Sequence, residues 1–468
     1  MHPRLAADLA RLPDLLRTVG LSANDILGRL DEQPVIPPLR LPDPVPLPEE
    51  GAGLAAALTE FTREWAPLLS ASAGPRYLGF VTGGATPAAL AGDWLTAAAD
   101  QNPTSALDGA GPELERRTVG WLRELFGLGA AHQGAFVSGA TMSNTVGLAV
   151  AREWLGERMG VTVAEEGTAA LGRVRVLSGS PHSSIGKGLS ILGLGRASLV
   201  QVPVLHGREA VDPEALERAL AQAGGPAIVV ANAGTVNTVD FDDLRAIAAL
   251  RERHEFWLHV DAAFGAFAAL SPDHADLVAG LDAADSICVD LHKWLNVPYD
   301  SAVQFTRHRR LQTRVFQNAA AYLGPLGETP DPVHLTPENS RRLRALAAWF
   351  TLRAYGRDGH REIVQRNIAC ARALGRAVET IPGLRLLAPV RLNVVCFTLA
   401  GDPTAERLAD LAADLKDEAF LTPTAYAGVP ALRAAFSNWR TTEADVHRLT
   451  EALRNTPPGA ARSSVRRS

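Results

Sequence analysis

Lysine is almost missing from this 468-residue chain: of its 46 basic residues, only Lys187, Lys293 and Lys416 are not arginine. Either side chain serves as a surface charge, but only lysine loses its proton near neutral pH and attacks a carbonyl as a free amine. Lys187 and Lys416 lie in Gly-Lys-Gly and Leu-Lys-Asp contexts, where a coding bias toward arginine accounts for them as well as function does. Lys293 follows the strand-like run Ser286 to Asp290 and stands between His292 and Trp294, the position of a candidate Schiff-base former. Cysteine is equally scarce. Cys288, Cys370 and Cys396 offer neither a disulfide framework nor paired metal-ligand spacing, and read as core thiols in a reducing compartment. A net charge of -5 gives no general pull toward nucleic acid or an anionic membrane. No run approaches the ~20 apolar residues of a membrane span. The opening Met-His-Pro-Arg soon meets Asp8 and Asp14, unlike a signal peptide, so a cytoplasmic protein is expected.

What is present is ordinary globular material, 47% hydrophobic and 21% charged, enough for two or three domains. Residues 1 to about 36 read as short amphipathic helices, followed by a proline-rich, extended segment from Pro37 to Pro48. From about 77 to 310, helical stretches alternate with strand candidates at 135–137, 174–177, 199–202, 227–231, 257–260, 286–290 and 302–306. Asp212 with Pro213 is a clear helix start between two of them. Such alternation predicts an α/β fold with a mostly parallel sheet covered on both faces, and ligands bind such sheets outside the carboxyl ends of the strands. After about 338 the pattern changes to a long helix at 340–355, another near His360, and strands at 384–388 and 394–399, which predicts a smaller α+β domain. The expected division is an N-terminal arm over 1–72, a large domain over 73–338, a small domain over 339–455 and a disordered tail over 456–468.

Five clusters fall at predicted strand ends. Ser138-Gly139-Ala140-Thr141 precedes a helix and suits a phosphate, because small residues let backbone amides reach an anion at a helix N-terminus. A plain capped turn would have the same composition. His182-Ser183-Ser184 offers an imidazole that stacks on a planar ligand or merely caps a helix. Asn232-Ala233-Gly234-Thr235 offers an amide and a hydroxyl. Asp261 ends an apolar strand and is followed by Ala262, Ala263 and Phe264, so its carboxylate needs a cationic or protonated partner, such as a pyridinium nitrogen. Zinc is the rival idea, yet His254, His259 and Asp261 match no ligand spacing, and no metal is expected. The fifth cluster is Asp290-Leu291-His292-Lys293-Trp294, followed by Pro298-Tyr299-Asp300. Amine, acid, stacking imidazole and phosphate turn together suit pyridoxal 5′-phosphate (PLP).

On these motifs the chain resembles the group II PLP-dependent amino acid decarboxylases, the aromatic-L-amino-acid and glutamate decarboxylase-like family, from about Tyr77 to Val446. The resemblance implies a PLP-dependent transferase fold of type I (aspartate-aminotransferase-like), a homodimer with active sites at the subunit interface, and an arm packed on the partner. It implies that Lys293 forms the Schiff base with the cofactor, that Asp261 pairs with the pyridine nitrogen and that His182 stacks on the ring. Ala140, Thr141 and His292 are implied at the phosphate, Thr235 matches the first threonine of a Gly-Thr-Thr element, and Ala263 lies beneath the ring. Ser340-Arg341-Arg342 and Phe436-Ser437-Asn438-Trp439 match two further elements. The chain departs from the family at Val236, which replaces the second threonine, and at Leu291, which replaces a proline. The loop Asp331 to Pro337 also lacks the tyrosine that protonates the carbanion after carbon dioxide leaves. His334 is the candidate replacement donor, with Tyr322 as a second. The expected activity is decarboxylation of an L-amino acid, with an aromatic or other apolar side chain favoured. The alternatives are an aldehyde synthase, aminotransferase or carbon-carbon lyase on the same fold, or a PLP-binding homodimer that has lost turnover.

Overall fold

The computed structural model describes residues 1–107, 109–318 and 329–456. A seven-stranded sheet is built from β1 (Gln133–Val137), β2 (Val176–Ser178), β3 (Leu199–Gln201), β4 (Ala227–Asn232), β5 (Phe256–Asp261), β6 (Ser286–Asp290) and β7 (Ala302–Thr306). Its order is β1-β7-β6-β5-β4-β2-β3, and every pairing from β3 to β6 is parallel while β7 runs antiparallel to both β6 and β1. The strands read as near-continuous apolar runs because helices cover both faces: β4, β5, β6 and β7 are buried at every position. All seven strands lie on the runs expected from the sequence.

The connecting helices start where their capping chemistry places them. Asp212 accepts the amides of Glu214 and Ala215 ahead of the helix Pro213–Ala223. The helix after β1, Ala140–Met159, is almost wholly buried, because it crosses the middle of the sheet. Gly147 permits that crossing, since a Cβ there would lie 2.7 Å from the His259 ring.

A second sheet, β8 (Leu384–Leu386), β9 (Val394–Leu399), β10 (Thr422–Tyr426) and β11 (Val429–Ala435), is antiparallel in the order β10-β11-β9-β8. The β10-β11 hairpin is not visible in the sequence pattern, because Pro423 and Pro430 interrupt its strands. Its turn, Ala427-Gly428, has φ values of 49° and 78°, as a two-residue hairpin turn requires. Two successive helices lie where two were expected, separated at Gly356 where φ is 59°; the first begins at Ala345 rather than 340, and the second runs to Thr380. Residues 341 and 344 are instead tied down by their side chains, Arg341 to Glu115 and Arg344 to Asp300 and Glu338. The chain's start forms two helices, Pro3–Ala10 and Leu12–Gly28, ahead of the proline-rich stretch. Tyr322 and the tail after Thr456 lie outside the described residues.

Candidate active site

The carboxyl ends of the parallel strands open on a cavity of about 200 Å³ whose walls include Ala140, His182, Asn232, Thr235, Asp261, Ala263, Lys293 and Arg433. A larger apolar hollow of about 590 Å³, between Leu27, Leu30, Leu90, Trp94 and Trp439, contains none of the predicted site residues. The chemistry therefore belongs to the smaller space.

Strand β6 ends at Asp290, and the single helical turn Leu291–Trp294 brings Lys293 back over it. Lys293 Nζ lies 3.3 Å from Asp290 Oδ2, and His292 Nε2 lies 3.2 Å from Oδ1. Burial alone would raise the Asp290 pKa, but Lys293 and His292 outweigh it and hold the carboxyl below its ordinary value. Lys293 Nζ also sits 5.4 Å from the Phe264 ring centre. Asp261, the last residue of β5, is buried; its Oδ2 accepts from Asn144 Nδ2 at 2.8 Å and its Oδ1 from the Ala263 amide at 3.2 Å. Among the described residues no arginine, lysine or histidine forms an ion pair with it, which leaves its charge available to an incoming cation.

His182 is the N-cap of the helix Ser183–Ile191, its Nδ1 accepting from the Ser184 amide at 3.2 Å. The residue is exposed and lines the cavity, and desolvation by the surrounding protein lowers its pKa below the ordinary imidazole value. The helix Ala140–Met159 follows Gly139 with no side-chain cap, so its first amides remain unclaimed by any capping side chain at the positive end of a 20-residue helix. A Cβ on Gly139 would come within 3.4 Å of His292, which places that ring against the phosphate turn. His292 Nδ1 accepts from the Ser301 amide, and its ring packs 4.2 Å from that of Tyr299.

Two sequence expectations are modified. Thr235 lines the cavity, but its hydroxyl donates to Glu209 Oε2 at 2.5 Å and accepts from the Asp240 amide at 2.9 Å, so its proton is already committed. His334 is buried in the turn Pro332–His334, its Nδ1 accepting from the Asn318 amide at 3.1 Å, and it is not among the cavity residues of its own chain. One residue was missed entirely. Arg433, from β11 of the small domain, enters the cavity with its guanidinium donating to Val236 O at 2.5 Å and Phe80 O at 3.0 Å. Among the described residues its buried Nε has no hydrogen-bond partner. The signal available in the sequence was an arginine within an apolar run, Val429 to Ala435.

These groups fit PLP: an amine for its aldehyde, a buried carboxylate lacking a cation for its protonated ring nitrogen, an exposed imidazole for its ring face and an uncapped helix terminus for its phosphate. A parallel sheet presenting this set at its carboxyl edge defines a PLP enzyme of fold type I. The sequence profile of the pyridoxal-dependent decarboxylase conserved domain matches residues 38–400, and the chain belongs to that family of PLP-dependent amino acid carboxy-lyases. It is 31% identical over 438 residues to the L-2,4-diaminobutyrate decarboxylase of Rhizobium meliloti (strain 1021), covering 88% of this chain and 83% of the relative. It is 28% identical over 332 residues to the aromatic-L-amino-acid decarboxylase of Bacillus atrophaeus, covering 69% and 67%. The crystal structure of Oryza sativa TDC with PLP and tryptamine shares the fold with a TM-score of 0.88 at 23% identity, over 95% of this chain and 97% of that one.

Proposed function

We propose that the chain decarboxylates an L-amino acid with an aromatic or other apolar side chain, and that Lys293, Asp261 and His182 carry the reaction. The supporting observation is that these three, contributed by three strand ends, line one cavity whose remaining walls include Phe80, Val81, Val236 and Phe264. A cationic side chain such as that of diaminobutyrate would need a free carboxylate there, and Asp261 is the cavity carboxylate already assigned to the cofactor. A side-chain carboxylate would need a free arginine fork, and both Nη atoms of Arg433 are held by backbone carbonyls.

When bound, the cofactor supplies an aldehyde for the substrate amine and a protonated ring that takes up electrons from the bond to the carboxylate. Lys293 holds the cofactor and is displaced by substrate. Asp261 would pair with the ring nitrogen, and His182 and Ala263 would flank the ring. Ala140, Thr141 and His292 would hold the phosphate, and Thr235 would face the ring edge. In the same reading the chain is a cytoplasmic homodimer without nucleic-acid or membrane partners, divided at residues 72, 338 and 455. The apolar hollow beside Trp94 and the exposed Leu5, Leu9, Leu12 and Leu16 of the arm support burial against a second subunit. His334, absent from its own chain's cavity, then serves the partner's site as proton donor.

The loop 331–337, which lacks a tyrosine, supports a second reading: dioxygen takes two electrons from the decarboxylated substrate to become hydrogen peroxide, and one water hydrolyses the resulting imine to aldehyde and ammonia, beside carbon dioxide. Incubation with each amino acid, scoring carbon dioxide, amine, ammonia and peroxide, tests both. Amine equimolar with carbon dioxide supports decarboxylation; peroxide and ammonia equimolar with carbon dioxide would replace it by the second reading.

A further inference from the structure

Behind Asp261 runs a chain of buried hydrogen bonds in which the direction of every donor is determined. Trp257, His259, Ser286, Asn144 and Ser184 are all buried, at 0 to 3% exposure. Trp257 Nε1, which can only donate, lies 2.9 Å from Ser286 Oγ. Ser286 Oγ lies 2.7 Å from His259 Nδ1, His259 Nε2 lies 2.9 Å from Asn144 Oδ1, and Asn144 Nδ2 lies 2.8 Å from Asp261 Oδ2.

The Asp261 end of the chain fixes the directions. A carboxylate only accepts, so Asn144 must turn its amide nitrogen toward Asp261 and its oxygen toward His259. His259 Nε2 must then carry a hydrogen. Burial lowers the His259 pKa to about 4, so at neutral pH the ring is uncharged and Nδ1 is a bare acceptor. Ser286 therefore donates to Nδ1, and its lone pairs accept from Trp257. A branch leaves at Asn144: its second amide hydrogen points to Ser184 Oγ at 3.0 Å, and Ser184 Oγ meets His182 Nδ1 at 2.8 Å. His182 Nδ1 also receives the Ser184 amide, so its proton is left on Nε2.

We infer that Asn144 is a positioning residue whose amide, backed by His259 and Ser286, holds Asp261 as a pure acceptor for the ring nitrogen. This deepens the reading of Asp261 given above and rests on it. The reverse amide orientation would set Asn144 Oδ1 against the carboxylate, so the carboxylate itself opposes the flip.

The test begins on the cofactor-free protein. Nitrogen-15 spectra of labelled histidines at neutral pH should show His259 and His182 both neutral and both Nε2–H. A charged or Nδ1–H His259 would overturn the inference whatever the enzyme does. Asn144→Leu keeps the volume and removes the bonds to Asp261 and His259: His259 should lose its single tautomer, and PLP should dissociate about tenfold more readily, the cost of one hydrogen bond to a charged group. Ser286→Ala touches neither Asp261 nor the cavity, yet should disturb the His259 tautomer and weaken PLP in the same direction, while Ser286→Thr restores both. Wild-type PLP affinity in Asn144→Leu with an unchanged His259 spectrum would overturn the inference. If Asn144→Leu does not fold, the Ser286 pair decides. Should the wild-type protein fail to bind PLP at all, the functional reading falls, while the tautomer measurement still decides the network.

Discussion

Arg341 provides the sharpest test of how the scaffold holds the phosphate turn. Its side chain is 1% exposed and that of Glu115 is 4% exposed; Arg341 Nη2 reaches both Glu115 oxygens at 2.8 and 2.7 Å, and Nη1 donates to Phe136 O at 2.9 Å. Phe136 belongs to β1, two residues before Ser138 opens the turn. Arg341→Met removes the cation and keeps most of the volume, leaving Glu115 buried with the Phe136 amide at 3.3 Å as its remaining donor. Breaking one side of a buried pair costs about 3–5 kcal/mol, because the surviving charge is desolvated without compensation. The double change Arg341→Met with Glu115→Leu removes that charge, and should recover most of the loss, since buried pairs are replaced by apolar residues at little cost. Urea unfolding followed by tryptophan fluorescence measures both, and PLP titration reports whether the turn loosens. A single variant within ~1 kcal/mol of wild type, or a double variant no better than the single, would refute the view that Glu115 needs Arg341.

Two further outcomes are expected. Borohydride reduction after one equivalent of PLP should fix the label on Lys293, as mapped by peptide mass spectrometry; Lys187 and Lys416 are both exposed, so equal labelling there would mean that exposure alone selects the amine. His360 is buried, and burial lowers its pKa from 6.5 to about 4. The unfolded chain then binds a proton between those values that the folded chain does not, so stability is lost as pH falls from about 6.5 to about 4, by roughly 3 kcal/mol in all. His360→Leu should flatten that fall by about one proton's slope in urea titrations at several pH values, with His259 retaining its own share.

The large-domain strands and the three central site residues were legible because both signals are local. A strand buried on two faces is an uninterrupted apolar run, and a residue that breaks the run at its carboxyl end is placed at the ligand edge by the topology itself. Lys293, Asp261 and His182 all follow that rule. Arg433 does not, since it reaches the cavity from the other sheet, and nothing local to Val429–Ala435 records which residues it will face. Asn144 was hidden for a related reason: it lies within a helix and acts on β5, 117 positions away in sequence. Thr235 shows the opposite limit, in that a motif match gives the position but not the partner, and here Glu209 takes the hydroxyl proton. The helix start at Ala345 was displaced because the pull of Glu115 on Arg341 and of Asp300 on Arg344 outweighs the helical propensity of the intervening residues.

The scarcity of lysine acquires a physical meaning once the ion pairs are placed. The links that tie segments together use arginine: Arg344 to Asp300 and Glu338, Arg440 to Asp31, and Arg76 to the carbonyls of Asp31 and Asp417. Among the described residues lysine enters one ion pair, Lys293 with Asp290. Guanidinium groups hold carbonyls and carboxylates in a planar fork and keep their charge at any physiological pH, so they bind firmly without forming an imine with an aldehyde. A chain built this way gives a reactive aldehyde few competing amines. The one amine at the cavity has a buried carboxylate 3.3 Å away, so the same contact that orients it also supplies its counter-ion. Asp290 and Asp261 thereby differ at neighbouring strand ends: one carboxylate has the Lys293 amine beside it, and among the described residues the other has no ion-pair partner, which is what its proposed pairing with the cofactor's ring nitrogen requires.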